Sequence, residues 1–359
     1  MTANQDNREL GKPVEALMLD ESALADYLVD HIAGFERDCS IQQFLGGQSN
    51  PTYLIESGNK AYVLRKKPPG NLLPSAHAVD REYRIISALA GSEVPVPHAH
   101  LLCADESVIG QMFYVMDYVP GRVPAERGMP GYTTTDRRDM YHEMAKVLGK
   151  LHSIDYQSAG LESFGKPNAY VSRQVRRWAG QYTASKIEEC RPMDELIAWL
   201  PENDPDDGYS SIVHGDYRPG NIIFRNDSPK LAAVLDWELS TIGHPLADLG
   251  YFFMPHRVDA ATTPYGLQGM DLEQLGIPSE TALLETYASS AGRKEVPDID
   301  YYIVFSMFRL AAILAGVMRR GLDGNAADPR AVERGKSYQQ IASTAMAIAN
   351  GNYRYNAPT

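Results

Sequence analysis

Apolar residues recur along the first third of the chain in two rhythms. Leu24, Leu28 and Ile32 fall on one face between Asp20 and Gly34, the spacing of an amphipathic helix with a glycine stop. Short β-like runs follow around Ser40–Leu45, Tyr53–Ser57 and Ala61–Lys67, divided by Gly46-Gly47 and Gly58-Asn59. Ser75 can cap a helix that reaches Ala90, with Gly91 just past its end. Pro95 and Pro97 break the pattern ahead of another β-like region. Met112–Val119 then reads as a buried strand running into a turn at Pro120-Gly121. Beyond Gly121 the rhythm turns helical. Arg137–His152, Val171–Cys190, Thr281–Ala291, Tyr301–Arg320 and Arg330–Ala349 all have helical length and period. One β-hairpin interrupts them, Asn221–Arg225 with Leu231–Leu235, turning at Asn226-Asp227-Ser228-Pro229. Pro201–Tyr209 is an acidic, turn-rich loop ahead of it. The fold class is α+β: a β-rich part over residues 1–117 and a helical part over residues 118–359.

Composition narrows the field only modestly. The 359 residues are 44% hydrophobic and 22% charged, which suits an ordinary globular chain with a substantial core. A net charge of −12 weighs against general binding to nucleic acid or to an anionic membrane. Cys39, Cys103 and Cys190 are far apart and form no Cys-x-x-Cys pair, so free thiols of a reducing compartment are expected. Met1–Pro13 is polar, without the apolar centre of a signal peptide. Tyr301–Met318 approaches membrane-span length but contains Ser306 and Arg309, and it reads as a buried helix. A cytoplasmic location is expected, with neither nucleic acid nor membrane as partner.

The chemistry lies in His214-Gly215-Asp216-Tyr217-Arg218-Pro219-Gly220-Asn221 and Val234-Leu235-Asp236-Trp237-Glu238. Asp216 and Asn221 are five positions apart, and Asp236 lies fifteen further on. Phosphoryl transfer needs one carboxylate to orient the attacking hydroxyl, and an amide and a second carboxylate to hold Mg²⁺ on the nucleotide phosphates. Singly, each residue would be a turn or strand-end residue. Three at this spacing, each flanked by an apolar strand, make a site, and the hairpin is the device that returns Asp236 towards Asn221. His214 and Asp248 read as scaffold for the loop. Upstream, Gly46, Gly47, Ser49 and Asn50 would let backbone N–H and polar groups meet phosphates. Alternation over Ala61–Lys67 puts Val63 and Arg65 on one face and Leu64 and Lys66 on the other. A cation meeting the α- and β-phosphates is assigned to Arg65, with Lys66 and Lys67 as alternatives of register. Glu82 can pair with it from the following helix, with Asp80 as the alternative. The strand end at Met116–Gly121, including Met116 and Tyr118, can offer backbone groups to a nucleotide base. Arg173, Arg176 and Arg177 share a helix, and Arg309 sits inside an apolar one. These arginines are candidates for an anionic part of the substrate, the Arg173–Arg177 group against the alternative of a solvated face.

The His-Gly-Asp-x₄-Asn spacing matches the protein-kinase His-Arg-Asp-x₄-Asn, but Gly215 and Trp237-Glu238 depart from it. Only eleven residues separate Asp236 from Asp248, and no Ala-Pro-Glu follows, which disfavours a protein substrate. From about Ile41 to Arg320 the chain resembles the aminoglycoside phosphotransferase and choline kinase superfamily. It is most similar there to the phosphotransferase-like domain associated with acyl-CoA dehydrogenases. Besides the catalytic block, Leu64–Gly70, Pro74–Tyr83 and Arg173–Trp178 carry that likeness. The resemblance implies a bilobal protein-kinase-like fold with a small β-rich N-lobe and a larger, mainly helical C-lobe. It implies ATP or GTP as phosphoryl donor, Mg²⁺, and a small-molecule hydroxyl as acceptor. A hydroxyacyl-CoA is one acceptor, and a functional association with an acyl-CoA dehydrogenase goes with it. An aminoglycoside or amino-alcohol kinase and a nucleotide-binding pseudokinase scaffold are the competing readings. The presence of Asp216, Asn221 and Asp236 together argues against the scaffold.

Overall fold

The β-like runs of the first third pair as one antiparallel sheet. In this computed structural model, residues 9–13, 17–45, 50–70, 77–205, 208–261, 263–297, 299–326 and 328–352 are described. The elements begin with β1 (Leu10–Gly11), α1 (Glu21–His31), β2 (Cys39–Phe44), β3 (Thr52–Ser57) and β4 (Lys60–Lys66). They continue with α2 (Val79–Leu89), β5 (Ala99–Cys103) and β6 (Phe113–Asp117), and the six strands take the order β1-β2-β3-β4-β6-β5. Gly58 at φ +59° opens the two-residue loop between β3 and β4, the left-handed position that suits glycine in a tight hairpin. Tyr53, Ile55, Tyr62, Leu64, Phe113 and Val115 alternate onto one face and bury Leu24 and Leu28 of α1 with Ile32 at its C-cap. The intervening residues of β4 and β6 meet α2 on the other face.

After β6 come α3 (Thr134–Ser153), α4 (Tyr170–Ser185), α5 (Arg191–Glu202) and β7 (Ser211–Val213), then the hairpin β8 (Ile222–Phe224) and β9 (Leu231–Val234). The chain ends with β10 (Thr241–Gly243), α6 (Pro245–Arg257), α7 (Leu272–Leu275), α8 (Glu280–Ser290), α9 (Asp300–Leu322), α10 (Ala331–Gly335) and α11 (Tyr338–Ala349). Two compact units result: Met1–Val123 with Asn221–Ser240, and Pro124–Gly220 with Thr241–Thr359. The hairpin, placed by the sequence reading after the 117/118 boundary, thus groups with the sheet. Arg122 and Phe224 exchange backbone hydrogen bonds of 2.8 and 2.9 Å, and Val234 N–H donates to Pro95 C=O at 2.8 Å. Gly121 permits this approach, since a Cβ there would lie 2.3 Å from both Ile223 Cγ2 and Phe224 O.

In the helical unit, Thr133 and Asp136 form a capping box that starts α3 three residues before the expected Arg137. The expected helix over Arg330–Ala349 is two helices, α10 and α11, and a Cβ on Gly335 would lie 2.3 Å from Met318 Cβ. Helix α5 was not expected because Pro192 and Pro201 bracket it, though Met193, Leu196 and Leu200 form its buried stripe. Helix α6 escaped for the opposite reason. It is buried almost throughout, so it has no polar face to reveal a period. Helix α9 is long and apolar enough to cross a membrane by length and composition, but it packs among α4, α6, α10 and α11. All three cysteines are unpaired.

Gly250 of α6 lets that helix lie against α9, for a Cβ there would be 2.4 Å from the Tyr302 carbonyl carbon and oxygen. Alanine favours a helix by about 1 kcal/mol over glycine, whereas overpacking against backbone costs about 1–3 kcal/mol. Gly250→Ala is therefore expected to lower the melting temperature by about 2–6 °C, read by differential scanning calorimetry. An unchanged or raised value would show that the two helices can part without cost.

Candidate active site

Within the sheet unit, charge gathers around one arginine. Arg65 Nη1 lies 3.0 Å from Glu82 Oε2, and its Nη2 lies 3.4 Å from Asp236 Oδ1. Glu82, fully buried on α2, also accepts from Tyr114 OH at 3.0 Å and from Asn50 Nδ2 at 2.8 Å. His77 Nδ1 is 3.0 Å from Asn50 Oδ1 and extends the chain of contacts. Burial raises the Glu82 pKa, and Arg65 opposes that only in part. Burial also works against the Arg65 cation, but Glu82, Tyr114 and Asp236 outweigh it and its pKa is raised. Of the three basic residues at this strand end, Arg65 is the one that pairs with Glu82. Lys66 is buried, and that burial lowers its pKa.

The hairpin in the same unit carries the other two candidates. Asn221, 5% exposed, ends a 3₁₀ turn over Pro219–Asn221. Its C=O accepts from Leu235 N–H at 2.8 Å, so strand pairing sets it beside the residue before Asp236. Asp236 has φ +64° and ψ 56°, a left-handed backbone that costs a non-glycine residue about 1–2 kcal/mol. The turn that follows, Trp237–Leu239, is anchored by buried Trp237, whose Nε1–H donates to Val234 C=O at 3.0 Å.

In the helical unit, β7 pairs antiparallel with β10 and delivers the loop that begins at His214. Asp248 on α6 is 2% exposed, and its carboxylate accepts from His214 N–H at 2.6 Å and Gly215 N–H at 2.8 Å. Burial raises the Asp248 pKa, but His152, His214 and the backbone donor overcome that and leave it lowered. His152 is kept neutral by burial; its Nε2 lies 3.5 Å from Asp248 and its Nδ1 2.8 Å from Tyr287 OH. Gly215 takes φ +84°, and His214 Nδ1 accepts from Asp216 N–H at 3.1 Å. The Asp216 carboxylate is then held at both ends. Oδ1 accepts from Tyr251 OH at 2.6 Å, and Oδ2 from Arg218 Nε at 3.1 Å. Burial and Asp216 push the Tyr251 hydroxyl up to about 12, with Arg127 and Arg309 pulling the other way.

The expected residues therefore fall into two constellations, one in each unit. Asn50, Arg65, Glu82 and Asp236 are joined by direct contacts in the first, with Asn221 at the same hairpin end. Asp216 anchors the second. Gly46, Gly47 and Ser49 lie outside the described residues. Met116 pairs with Val63 and Ala99, while Tyr118 N–H donates to Ala61 C=O at 3.0 Å and so is already committed. The Arg173 guanidinium donates to the carbonyls of Asn168 and Lys166, and Arg176 and Arg177 are exposed. Tyr251, Arg218 and Tyr114 were not foreseen. Arg218 stood inside the motif, whereas Tyr251 and Tyr114 gave no local signal.

A sheet with an arginine clamped by a helix carboxylate, and a helical unit with a braced His-Gly-Asp loop, define a protein-kinase-like phosphotransferase. The chain belongs to the phosphotransferase enzyme family, whose profile matches residues 40–276. It is 40% identical over 341 residues to acyl-CoA dehydrogenase family member 10 of Mus musculus, covering 94% of this chain and 32% of that protein. The chain spans less than half the length of the curated relatives it matches first. A crystal structure from Ralstonia eutropha JMP134, provisionally described as an aminoglycoside phosphotransferase, is 41% identical with a TM-score of 0.85. The match covers 94% of this chain and all of that one. Choline kinase of Cryptosporidium parvum shares the fold at 14% identity and a TM-score of 0.64, over 94% and 99% of the two chains.

Two outcomes follow from these contacts. Glu82→Ala leaves Arg65 with Asp236 alone and strips Tyr114 OH and Asn50 Nδ2 of their acceptor, and is expected to destabilise the chain by about 3 kcal/mol. Replacing both partners with apolar residues, Arg65→Met with Glu82→Leu, is expected to recover much of that loss in urea denaturation. An additive double variant would mean that the pair is not coupled. The second outcome concerns pH. His152 has a folded pKa below its unfolded value of about 6.5. The unfolded chain therefore takes up that proton first, and stability falls as pH drops below about 6.5. Asp248, lowered from about 3.9, adds a second loss at more acid pH. The melting temperature should decline from pH 7 to pH 5, and His152→Asn should flatten that decline. An identical slope in the variant would remove His152 from the account.

Proposed function

We propose that the chain is an ATP-dependent kinase that phosphorylates a hydroxyl of a small metabolite. The observation that carries this is the Asp216 carboxylate, held by Tyr251 and Arg218 in a loop pinned by Asp248. It stands five residues before Asn221 in the sequence. In the transfer, the acceptor oxygen bonds to the γ-phosphorus as the bond to the β-bridging oxygen breaks, and ADP leaves. Asp216 orients the acceptor hydroxyl and takes its proton. Arg65, kept charged and in place by Glu82, offers a cation to the α- and β-phosphates. Asn221 and Asp236 supply an amide oxygen and a carboxylate, the hard oxygen donors that suit Mg²⁺. Among the described residues no group of three or more His, Cys, Asp or Glu could hold a metal. Two protein donors with phosphate oxygens and water are the usual Mg²⁺ arrangement in such sites. When bound, the ion would neutralise charge on the transferring phosphate.

GTP satisfies the same phosphate contacts as ATP. With Tyr118 N–H engaged by Ala61, reading of the base falls to other backbone groups of the 116–121 segment. The glycine-rich residues 46–49 are assigned to the phosphates, whereas the buried Asn50 side chain is engaged by Glu82 and His77 and braces the Arg65 pair instead. A hydroxyacyl-CoA is the acceptor best supported by the relatives, which carry a segment like this chain within proteins named for acyl-CoA dehydrogenases. A dehydrogenase acting on acyl-CoA is then the functional partner, in the cytoplasm.

Asp216→Asn is expected to cut turnover by roughly 10²–10⁴, the range for loss of a general base, with nucleotide affinity within a few-fold. Near-normal turnover would remove Asp216 from the reaction. By titration calorimetry, Asp236→Ala should abolish the Mg²⁺-dependent tightening of nucleotide, and Asn221→Ala should weaken it less, since only Asp236 carries full charge. Unchanged Mg·nucleotide binding in Asp236→Ala would place the metal elsewhere. A nucleotide-consumption screen over hydroxyacyl-CoAs, amino alcohols, sugars and aminoglycosides would decide the acceptor class.

A further inference from the structure

Beside Asp216 the helical unit holds two cations that the transfer step leaves unused. Arg309 emerges midway along the largely buried α9, its Cζ 5.6 Å from the Trp178 ring centroid and 5.7 Å from that of Tyr251. Arg127, 8% exposed, has its Cζ 5.4 Å from the same Tyr251 ring. Among the described residues neither guanidinium has a carboxylate or other side-chain acceptor. Aromatic faces offset only part of the cost of desolvating such a cation. Trp178 Nε1–H, on the ring that Arg309 covers, is sealed from solvent without an acceptor. Among the described residues the sealed, partnerless side-chain nitrogens belong to Arg65, Trp178 and His256, and no nitrogen of Arg127 or Arg309 is one of them.

Tyr251 joins this pair to the reaction, because its hydroxyl donates to Asp216 Oδ1 at 2.6 Å. Two cations framing the ring that holds the acceptor-orienting acid call for a negative charge that the protein itself does not supply. We propose that Arg127 and Arg309 form an anion-binding subsite for the acceptor, taking a carboxylate or phosphate carried by the molecule whose hydroxyl Asp216 orients. This rests on the kinase reading of Asp216. It also selects against cationic acceptors such as aminoglycosides and amino alcohols, which would meet like charge. A carboxylate would come from a free hydroxy acid, and a phosphate from a coenzyme A thioester. Arg173, spent on backbone carbonyls, is not part of the subsite.

The test reads binding to the full chain without turnover, so that a failed kinase reading and a failed subsite give different results. Coenzyme A and 3-hydroxyhexanoate are titrated by calorimetry into the wild type, Arg127→Met, Arg309→Met and Arg309→Lys. Mg·AMP-PNP is the reference ligand and Arg191→Ala, on the exposed face of α5, the surface control. Methionine keeps the packing of the stem, and melting curves identify any variant that fails to fold; Arg309→Lys keeps the charge if it does. The wild type should bind at least one anion, more weakly as salt is raised. Each methionine variant should lose about tenfold or more of that affinity, Arg309→Lys should retain most of it, and Mg·AMP-PNP should bind as before. Binding of coenzyme A alone assigns the subsite to phosphate, and binding of the hydroxy acid alone assigns it to carboxylate. The proposal is overturned if the wild type binds neither, if the methionine variants bind as the wild type does, or if they lose Mg·AMP-PNP equally.

Discussion

A carboxylate with no access to water organises the sheet unit. Glu82 is worth little as an isolated buried charge, since desolvation of an ion costs several kcal/mol before any partner is found. It becomes stabilising only because Arg65, Tyr114 and Asn50 all reach it. Those partners come from β4, β6 and the residues just before β3, so satisfying one acid fixes the distance between helix and sheet. The same guanidinium then touches Asp236, which ties the register of the sheet to the end of the β8–β9 hairpin.

The helical unit repeats the device with different parts. Asp248 is buried and spends its acceptor capacity on the backbone of His214 and Gly215, so the loop conformation is set from beneath. Asp216 can then keep its own oxygens for Tyr251 and Arg218. In each unit a fully buried acid helps to place one that stays partly open to solvent, Asp236 in one and Asp216 in the other. This division follows from electrostatics: a fully buried carboxylate cannot give up its partners, whereas a partly exposed one can exchange them.

Much of this was legible in the chain itself. Alternation in Ala61–Lys67 put Arg65 on its face, the α2 helix offered Glu82, and the turn residues Asn226–Pro229 announced the hairpin. What failed were relations that leave no local period. Tyr251 reaches Asp216 across 35 residues, and α6, which carries it, is so thoroughly buried that it shows no stripe. Tyr114 looked like any aromatic of a buried strand, yet its hydroxyl supplies a bond to Glu82. The hairpin itself was recognised, but its allegiance to the sheet depends on Gly121 allowing backbone contact at Phe224, which no pattern of apolar residues encodes.

That allegiance has a consequence for how the molecule can be taken apart. Asn221–Ser240 belongs to the first unit but is strung between two stretches of the second. The polypeptide therefore crosses between the units three times, at 123/124, 220/221 and 240/241. A gene fragment ending at Val123 would make a sheet whose Arg122 and Pro95 backbone groups lack the hairpin they bond to. A fragment beginning at Pro124 would carry a hairpin with no sheet to receive it. A cut at 123/124 therefore leaves backbone donors and acceptors of both fragments without the partners they have in the intact chain.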